Sequence, residues 1–185
     1  MDGAVPAWAH EPPEIRPPDP GWRESARAES ARVTVVLGPW LVGAVEHIGS
    51  TAVPDLPAKP VVDLMAPVDD PDVVAREAAA ELAADGWCAV PPERDGRPWR
   101  RFFVKPDASG VHRVAHLHLL PAGHPRWYAQ LAFRDALRRD PELTARYAAL
   151  KRRLATRHAG DREAYTRAKS DFVAEVLGRA DRSGP

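Results

Sequence analysis

The segment from Glu46 to Asp63 carries residue types that bind phosphates and metal ions. Gly49 and Ser50 follow a predicted strand. A glycine there lets the backbone approach a ligand closely while N–H donors lie beside a hydroxyl. Thr51 adds a second hydroxyl, and Lys59 offers a point charge to a phosphate. The segment is therefore laid out like a nucleotide-binding loop.

Asp63 lies within the apolar run Val61-Val62-Asp63-Leu64-Met65. Burying a carboxylate is costly unless it is paired, hydrogen-bonded or bound to a cation. Two interpretations follow. Backbone donors, Lys59 or Arg113 could hold Asp63 as a structural residue, or Asp63 could bind Mg²⁺ opposite a phosphate on the Gly-Ser loop.

His116 and His118 belong to an apolar stretch that predicts a strand over Arg113 to Leu120. Residues i and i+2 share a strand face, so both imidazoles point the same way. They could bind a metal ion with Asp63 or transfer a proton to or from a substrate. The alternative is that they are partly buried and only orient Asp63 or Arg113.

The elements that position these residues are predicted from periodicity and turn residues. Six prolines in residues 1–20 indicate an extended arm or a disordered tail, and residues 21–180 form the single domain. Helices are predicted over Trp22 to Leu37 and Asp72 to Asp85. Strands are predicted over Gly43 to Ile48, Pro60 to Met65, Arg101 to Lys105 and Arg113 to Leu120. From Pro125 the chain is predicted to be helical, with breaks at Asp140-Pro141 and His158 to Gly160.

This order of elements predicts an α+β domain: a short mixed sheet, helices on one face and a C-terminal helical segment. On the helices, Arg134 could bind a phosphate with its planar guanidinium. Tyr147 and Lys151 share a helix face, as do Tyr165 and Lys169, because each pair is four residues apart.

The segment Glu46 to Pro54, with Leu56 and then Ala58 to Asp63, resembles the signature of the GrpB family. The resemblance covers about residues 17 to 178 and includes these further segments: Asp19 to Trp22, His116 to Leu119, Phe133 to Asp135, Tyr147 to Lys151 and Tyr165 to Lys169. The Gly-Ser turn also resembles that of the nucleotidyltransferase superfamily. Some GrpB-family members resemble accessory domains fused to dephospho-coenzyme A kinase.

The resemblance implies a nucleotidyltransferase-like fold that binds a nucleoside triphosphate such as ATP with Mg²⁺ or Mn²⁺. The nucleotidyl group would pass to a small-molecule acceptor, or the acceptor would be activated. Asp63, His116 and His118 are the expected catalytic and metal-binding residues. The expected phosphate-binding residues are His47, Gly49, Ser50, Thr51, Lys59, Arg134, Lys151 and Lys169.

Two positions depart from the expected pattern. Asp55 stands where the family usually has glycine, and aspartate tolerates a left-handed backbone better than most residues do. Met65 replaces the second carboxylate of the wider superfamily, and one strand carboxylate cannot hold a metal pair. A non-catalytic ligand-binding or accessory domain with the same fold is therefore the alternative function.

Composition limits the remaining classes of function. Lys plus Arg equals Asp plus Glu at 26 each, which disfavours a nucleic-acid partner held by overall charge. The longest apolar stretch, near Val33 to Val45, is too short and interrupted for a membrane span of about 20 residues. Cys88 is the single cysteine, which excludes an intramolecular disulfide framework and favours the cytoplasm.

Overall fold

The computed structural model describes residues 5–12, 14–157 and 169–178 of the 185-residue chain. Within these ranges the strands are β1 (Glu46–Ile48), β2 (Val62–Val68), β3 (Cys88–Val90), β4 (Arg101–Pro106) and β5 (Arg113–Pro121). They form one sheet in the order β1-β2-β5-β4-β3. β2 and β5 are parallel and the other neighbours are antiparallel. The prediction of a mixed sheet is confirmed.

The helices are α1 (Gly21–Leu37), α2 (Pro71–Glu77), α3 (Ala79–Ala84), α4 (Pro92–Asp95), α5 (Pro125–Arg139) and α6 (Pro141–Arg157). Residues 169–178 are also helical. None of these helices is both long and apolar enough to cross a membrane. The predicted break at Asp140-Pro141 is confirmed, whereas the predicted break at His158 to Gly160 lies outside the described residues.

Several elements differ from the prediction, and β2 runs from Val62 to Val68 rather than from Pro60 to Met65. The helix predicted over Asp72 to Asp85 is divided at Ala78, whose φ of −91° and ψ of 11° leave the helical region. Ala78 is fully buried, so the helical spacing of apolar residues continues across the break. The sequence pattern therefore does not reveal that the helix is divided. β3 and α4 were not predicted, because each is short and β3 exposes two of its three residues. β1 begins at Glu46 rather than Gly43.

The main core lies between α1, α2, α3 and one face of the sheet. Side chains alternate between the two faces of a strand, so Leu64 on β2 and Leu117 on β5 both point to this layer. Val33 on α1 and Leu82 on α3 are among the buried residues that pack against them. Near-continuous burial of β2 on both faces explains its apolar sequence.

The opposite face of the sheet is only partly covered. Met65, Ile48 and Leu120 are buried there against Trp127 and Leu131 of α5. The adjoining positions of β2 and β5 on the same face carry Asp63, His116 and His118, according to the strand alternation. The polar site residues therefore lie beside a small apolar cluster, on the face opposite the main core.

The proline-rich arm packs on the domain. Residues Ala7–His10 form a single 3₁₀ turn. Arg16 pairs with Ala58 through two backbone hydrogen bonds of 2.8 and 3.0 Å. Glu11 accepts hydrogen bonds from the backbone N–H (3.2 Å) and Nε (3.1 Å) of Arg113. The Arg113 side chain is almost fully buried, so the arm neutralises a charge on the sheet.

The C-terminal helices form a second apolar cluster. Tyr147 of α6 contacts Phe133 of α5 edge-on and stacks on Phe172, at centroid distances of 5.3 and 5.2 Å. Val53 and Leu56, from the loop after β1, are buried in the same cluster. The cluster therefore holds α5, α6 and residues 169–178 against the loop that carries Ser50.

Candidate active site

The parallel pairing of β2 with β5 brings Asp63 and His116 side by side. The two residues are register partners, and Nδ1 of His116 lies 2.8 Å from Oδ1 of Asp63. Nε2 of His118 lies 3.7 Å from the same oxygen. One ligand atom from each residue can be chosen so that all three lie within 4.8 Å of one another. The three residues are called the Asp-His-His cluster below.

Asp63 is held in its ionised form. Burial raises the pKa of its carboxyl, but the hydrogen bonds and charges of His116 and His118 outweigh burial and bring the pKa well below the usual value. An ionised carboxylate only accepts hydrogen bonds, so Nδ1 of His116 carries the shared proton. In the neutral ring the lone pair is then on Nε2, which is buried and has no partner among the described residues.

His118 is held in the opposite tautomer. Arg100 donates a hydrogen bond to its Nδ1, so in the neutral ring Nε2 carries the proton and faces Asp63. Its ring stacks on Phe102, with centroids 5.0 Å apart. Burial, followed by the charges of Arg100 and His116, lowers the pKa of His118 to about 4 against the opposing effect of Asp63. A cation at Nε2 of His118 would require the proton to move and Arg100 to release Nδ1.

Gly49 lies against the other carboxylate oxygen of Asp63. Its φ of 71° and ψ of −166° are almost exclusive to glycine. A Cβ atom at this position would overlap Oδ2 of Asp63 and lie 3.1 Å from its Cγ. Asp63 therefore contacts the histidines with one oxygen and the Gly49-Ser50 loop with the other.

Lys151 reaches the same loop from α6. Its Nζ donates a hydrogen bond to Oγ of Ser50 at 3.0 Å and another to the carbonyl of Pro57. The residue is 2% exposed, and no carboxylate of a described residue forms an ion pair with it. Burial, with the charges of Lys169 and Arg152, lowers the pKa of Lys151 to about 7. A buried amine without an anion beside Ser50 is the arrangement expected of an anion site.

Of the other predicted phosphate ligands, Lys169 lies near this point. Lys169 is close enough to influence the pKa of Lys151. Lys59 is half-buried, and its carbonyl accepts a hydrogen bond from the N–H of Val61 at 2.8 Å. The sequence offered backbone donors, Lys59 or Arg113 as structural partners of Asp63, and the histidines as residues that orient it. The hydrogen bond comes from His116, and Arg113 pairs with Glu11.

His47 and Thr51 are engaged with each other. Nε2 of His47 lies 2.9 Å from Oγ1 of Thr51, which also donates to the carbonyl of Val61 at 3.3 Å. His47 pairs with Leu64 in register, so its side chain lies on the face opposite Asp63. Burial, and to a lesser extent the charge of Arg138, lowers the pKa of His47 to about 4 against the opposing charge of Asp63. The structure does not place His47 in the Asp-His-His cluster.

Arg134 is occupied by protein groups. Its Nη1 donates to Oε2 of Glu46 at 2.7 Å and to the carbonyl of His47 at 3.0 Å. Its Nε donates to Oδ1 of Asp135 at 2.8 Å. The guanidinium therefore fastens α5 to β1, and a phosphate would have to compete with two carboxylates for it.

The two departures from the expected pattern have clear structural counterparts. Asp55 has a φ of 60°, the left-handed conformation that the sequence predicts for this position. Met65 is 1% exposed and lies opposite Glu46 on β1. Glu46 shares a face with Asp63 by strand alternation, but it is neutralised by Arg134. The position of the missing second carboxylate is therefore filled by an apolar contact.

Comparison with known proteins identifies the family. Residues 12–179 match the family described as GrpB protein. A UPF0157 protein of Pseudomonas aeruginosa is 40% identical over 173 residues, which are 90% of this chain and 67% of that protein. The chain belongs to the GrpB family. The Bacillus subtilis relative YqkA, also a UPF0157 protein, is 32% identical, and this GrpB-family chain spans 45% of its length.

Solved structures agree with the fold of this GrpB-family protein. GrpB from Enterococcus faecalis superposes with a TM-score of 0.77 at 27% identity, over 90% of this chain and 99% of that one. The Cid1 poly(U) polymerase superposes with a TM-score of 0.55 at 16% identity, over 83% of this chain and 49% of that one. The nucleotidyltransferase-like fold is confirmed.

Proposed function

We propose that this GrpB-family protein binds a nucleoside triphosphate with a divalent cation and transfers a nucleotidyl group to a small acceptor, or activates that acceptor. One observation carries the proposal. The Gly49-Ser50 loop is contacted by a buried amine, Lys151 at Ser50, and by an ionised carboxylate, Asp63 at Gly49. Phosphoryl chemistry needs a cationic cradle for phosphates next to a ligand for a metal ion.

The phosphate end of this site would use the loop and two lysines. Gly49 presents its backbone without a Cβ, and Ser50 offers a hydroxyl that already accepts from Lys151. Lys169 adds positive charge near Lys151. A triphosphate would supply the anion that Lys151 lacks among the described residues. Its binding would favour the protonated amine and raise the pKa of Lys151.

The Asp-His-His cluster fits a divalent transition metal better than Mg²⁺. Mg²⁺ prefers oxygen ligands in a regular octahedron, whereas imidazole nitrogen suits transition metals. One carboxylate oxygen and two imidazole nitrogens lie within 4.8 Å of one another, which is a mixed donor set. The set joins a carboxylate, a ligand that suits Mn²⁺ as well as Mg²⁺, to two imidazoles, which suit transition metals. We therefore favour Mn²⁺ over Mg²⁺, bound by Asp63, His116 and His118. When bound, it would neutralise charge on the phosphate oxygens.

The histidines also offer a route for a proton. Asp63 holds the N–H of His116 at Nδ1, which leaves Nε2 as a base. A carboxylate that fixes the tautomer of an imidazole is the arrangement used in general-base catalysis. If His116 is not a metal ligand during the reaction, its Nε2 would take the proton from the acceptor.

A second function is favoured by Met65. This residue is buried in an apolar cluster at the position of the second superfamily carboxylate, which is unsuited to a two-metal site. A dephospho-CoA kinase of Mycolicibacterium paratuberculosis is 30% identical over 93% of this chain, which spans 47% of that protein. Both observations fit a non-catalytic ligand-binding or accessory domain that retains the fold.

Calorimetric titration of ATP, GTP, CTP and UTP, each with Mn²⁺ or Mg²⁺, tests the proposal. We expect saturable binding that depends on Mn²⁺ and is lost in Asp63→Asn. Asp69→Asn is the matched control, because Asp69 is an exposed carboxylate just beyond the other end of β2. Product analysis with a mixture of small acceptors separates catalysis from binding. Metal-independent affinity equal in wild type and Asp63→Asn would contradict the metal assignment.

A further inference from the structure

A cavity of about 710 Å³ lies on the same face of the sheet as the Asp-His-His cluster. Its floor is formed by Cys88 and Val90 of β3 and by Phe102 and Val104 of β4. Val104 and Phe102 are the register partners of His116 and His118, so the cavity begins one strand away from the histidines. Its volume is within the range of small-molecule sites, about 300–1,000 Å³.

Two residues connect the cavity to the cluster directly. Phe102 lines the cavity and stacks on the ring of His118. Arg100 also lines the cavity, donates to Nδ1 of His118 and lies over the Phe102 ring, with Cζ 4.4 Å from its centroid. In strand order, the cluster separates this cavity from the Ser50–Lys151 corner. A ligand in the cavity would therefore approach the cluster from the side away from the predicted phosphates.

The walls of the cavity carry an excess of positive charge. Arg94, Arg97 and Arg100 line it together with one carboxylate, Asp95. Asp95 is engaged by Arg100 through two hydrogen bonds and has a side chain that is 5% exposed. Arg97 contacts the same carboxylate at 3.3 Å and remains 42% exposed. Arg94 forms no ion pair with a described residue, so the cavity has cationic groups available for an anion.

The remaining wall comes from the N-terminal arm. Trp8 lines the cavity, and three residues later Glu11 anchors the arm to Arg113, which also lines it. The charge of Arg113 is offset by Glu11. The arm therefore contributes an aromatic surface, while the anion-binding capacity comes from Arg94 and Arg97. An apolar floor with a cationic edge suits an organic anion.

We propose that this cavity is the acceptor site and that it binds a small molecule with an apolar or aromatic body and a carboxylate or phosphate group. Its role as the acceptor site rests on the proposed function, whereas the binding of an organic anion does not. Arg94 and Arg97 bind the anionic group, and Phe102 contacts the apolar body. The acceptor group that reacts then approaches the Asp-His-His cluster from the side of the cluster on which Phe102 lies.

Cys88 reports on occupancy of the cavity, because it is the single cysteine of the chain and is exposed on the cavity floor. The experiment measures the rate at which iodoacetamide alkylates Cys88 while phenyl phosphate or phenylacetate is titrated. We expect both anions to slow alkylation and neutral benzyl alcohol to have little effect. In R94A/R97A the apparent Kd should rise by about tenfold or more, since charge-assisted hydrogen bonds are lost.

Each variant is compared with its own rate without ligand, because removal of arginines also changes the reactivity of the thiol. R76A is the matched control, since Arg76 is 69% exposed and forms an ion pair with Glu77 at the surface. Absence of protection in the wild type, or equal protection in R94A/R97A, would overturn the anion site. Competition between ATP with Mn²⁺ and phenyl phosphate would overturn the acceptor assignment. If the wild-type protein binds no triphosphate but the anions still protect Cys88, the proposed function is refuted and the anion site stands.

Discussion

Oδ2 of Asp63 lies in the space that a Cβ atom on Gly49 would fill. The loop after β1 can lie this close to Asp63 on β2 only because Gly49 has no side chain and adopts a φ of 71°. The same carboxylate accepts the Nδ1 proton of His116 through Oδ1. The conformation of one glycine therefore determines how close the loop lies to the histidines.

Gly49→Ala should destabilise the protein and disturb the site together. The backbone conformation costs a non-glycine residue about 1–3 kcal/mol, and the added methyl group must displace the Asp63 carboxylate. Denaturant unfolding measures the loss of stability, and Mn²⁺ titration measures the loss of binding. Gly178→Ala is the control, because Gly178 is helical and no described residue beyond its neighbours places an atom within 4 Å of the added carbon. Equal stability of Gly49→Ala and wild type would contradict this account.

Lys151 should make stability depend on pH above neutrality. Its pKa is lowered to about 7 in the folded protein from 10.5, so between these values the unfolded chain binds more protons. The free energy of unfolding therefore rises with pH across this window, with Lys151 as one contributor. Denaturant unfolding at several pH values measures the slope, and Lys151→Met should reduce it. An identical slope in the variant would show that the pKa of Lys151 is not lowered.

The same amine should make triphosphate binding weaken as the pH rises above about 7. A phosphate favours protonated Lys151, so above this pH binding must take up a proton. The affinity can then fall by up to about tenfold per pH unit. Calorimetry in buffers of different ionisation enthalpy measures the uptake. Lys151→Arg keeps a fixed charge and should remove the pH dependence, and no proton uptake in wild type would exclude Lys151 as a phosphate ligand.

Glu11→Ala should detach the arm and strand a buried charge. Arg113 is 1% exposed at its side chain, and removal of one partner of a buried pair costs roughly 3 kcal/mol or more. Burial raises the pKa of Glu11, but hydrogen bonds from Arg113 and His112 outweigh it and lower the pKa. The contribution of ionised Glu11 to the free energy of unfolding is therefore present above pH 4.5. It is lost as the pH falls through the lowered pKa.

Thermal unfolding of Glu11→Ala at neutral and acidic pH tests this contribution. Glu14→Ala is the control, because Glu14 is 68% exposed and pairs with Arg16 at the surface, where an ion pair contributes about 0–1 kcal/mol. If the two variants unfold at the same temperature, the Glu11–Arg113 pair does not hold the arm.

The sequence predicts the candidate residues better than it predicts their contacts. Asp63 within an apolar strand and the two alternating histidines indicate unusual chemistry without any coordinates. Strand periodicity also places His116 and His118 on one face. The parallel pairing that sets Asp63 beside His116 joins residues 53 apart in sequence, and local patterns do not determine such a partner.

The contacts that the sequence did not predict all depend on the tertiary fold. Arg100 reaches His118 because β4 lies next to β5, and Glu11 reaches Arg113 across about a hundred residues. The proline density of the arm predicts an extended arm or a disordered tail, but it cannot show that the arm has a binding partner. Arg134 has the chemistry of a phosphate ligand, and only the fold reveals that Glu46 and Asp135 occupy it.

The alternation along β5 protects the site against errors of strand alignment. Ala115, Leu117 and Leu119 are fully buried against the helices, and the histidines occupy the positions between them. A slip of one residue between β2 and β5 would turn both leucines to the open face and both imidazoles into the helical layer. Each leucine would lose about 1.5–3 kcal/mol of burial. The hydrophobic core thus enforces the alignment of Asp63 with its histidines, and a misaligned site cannot form in an otherwise well-packed domain.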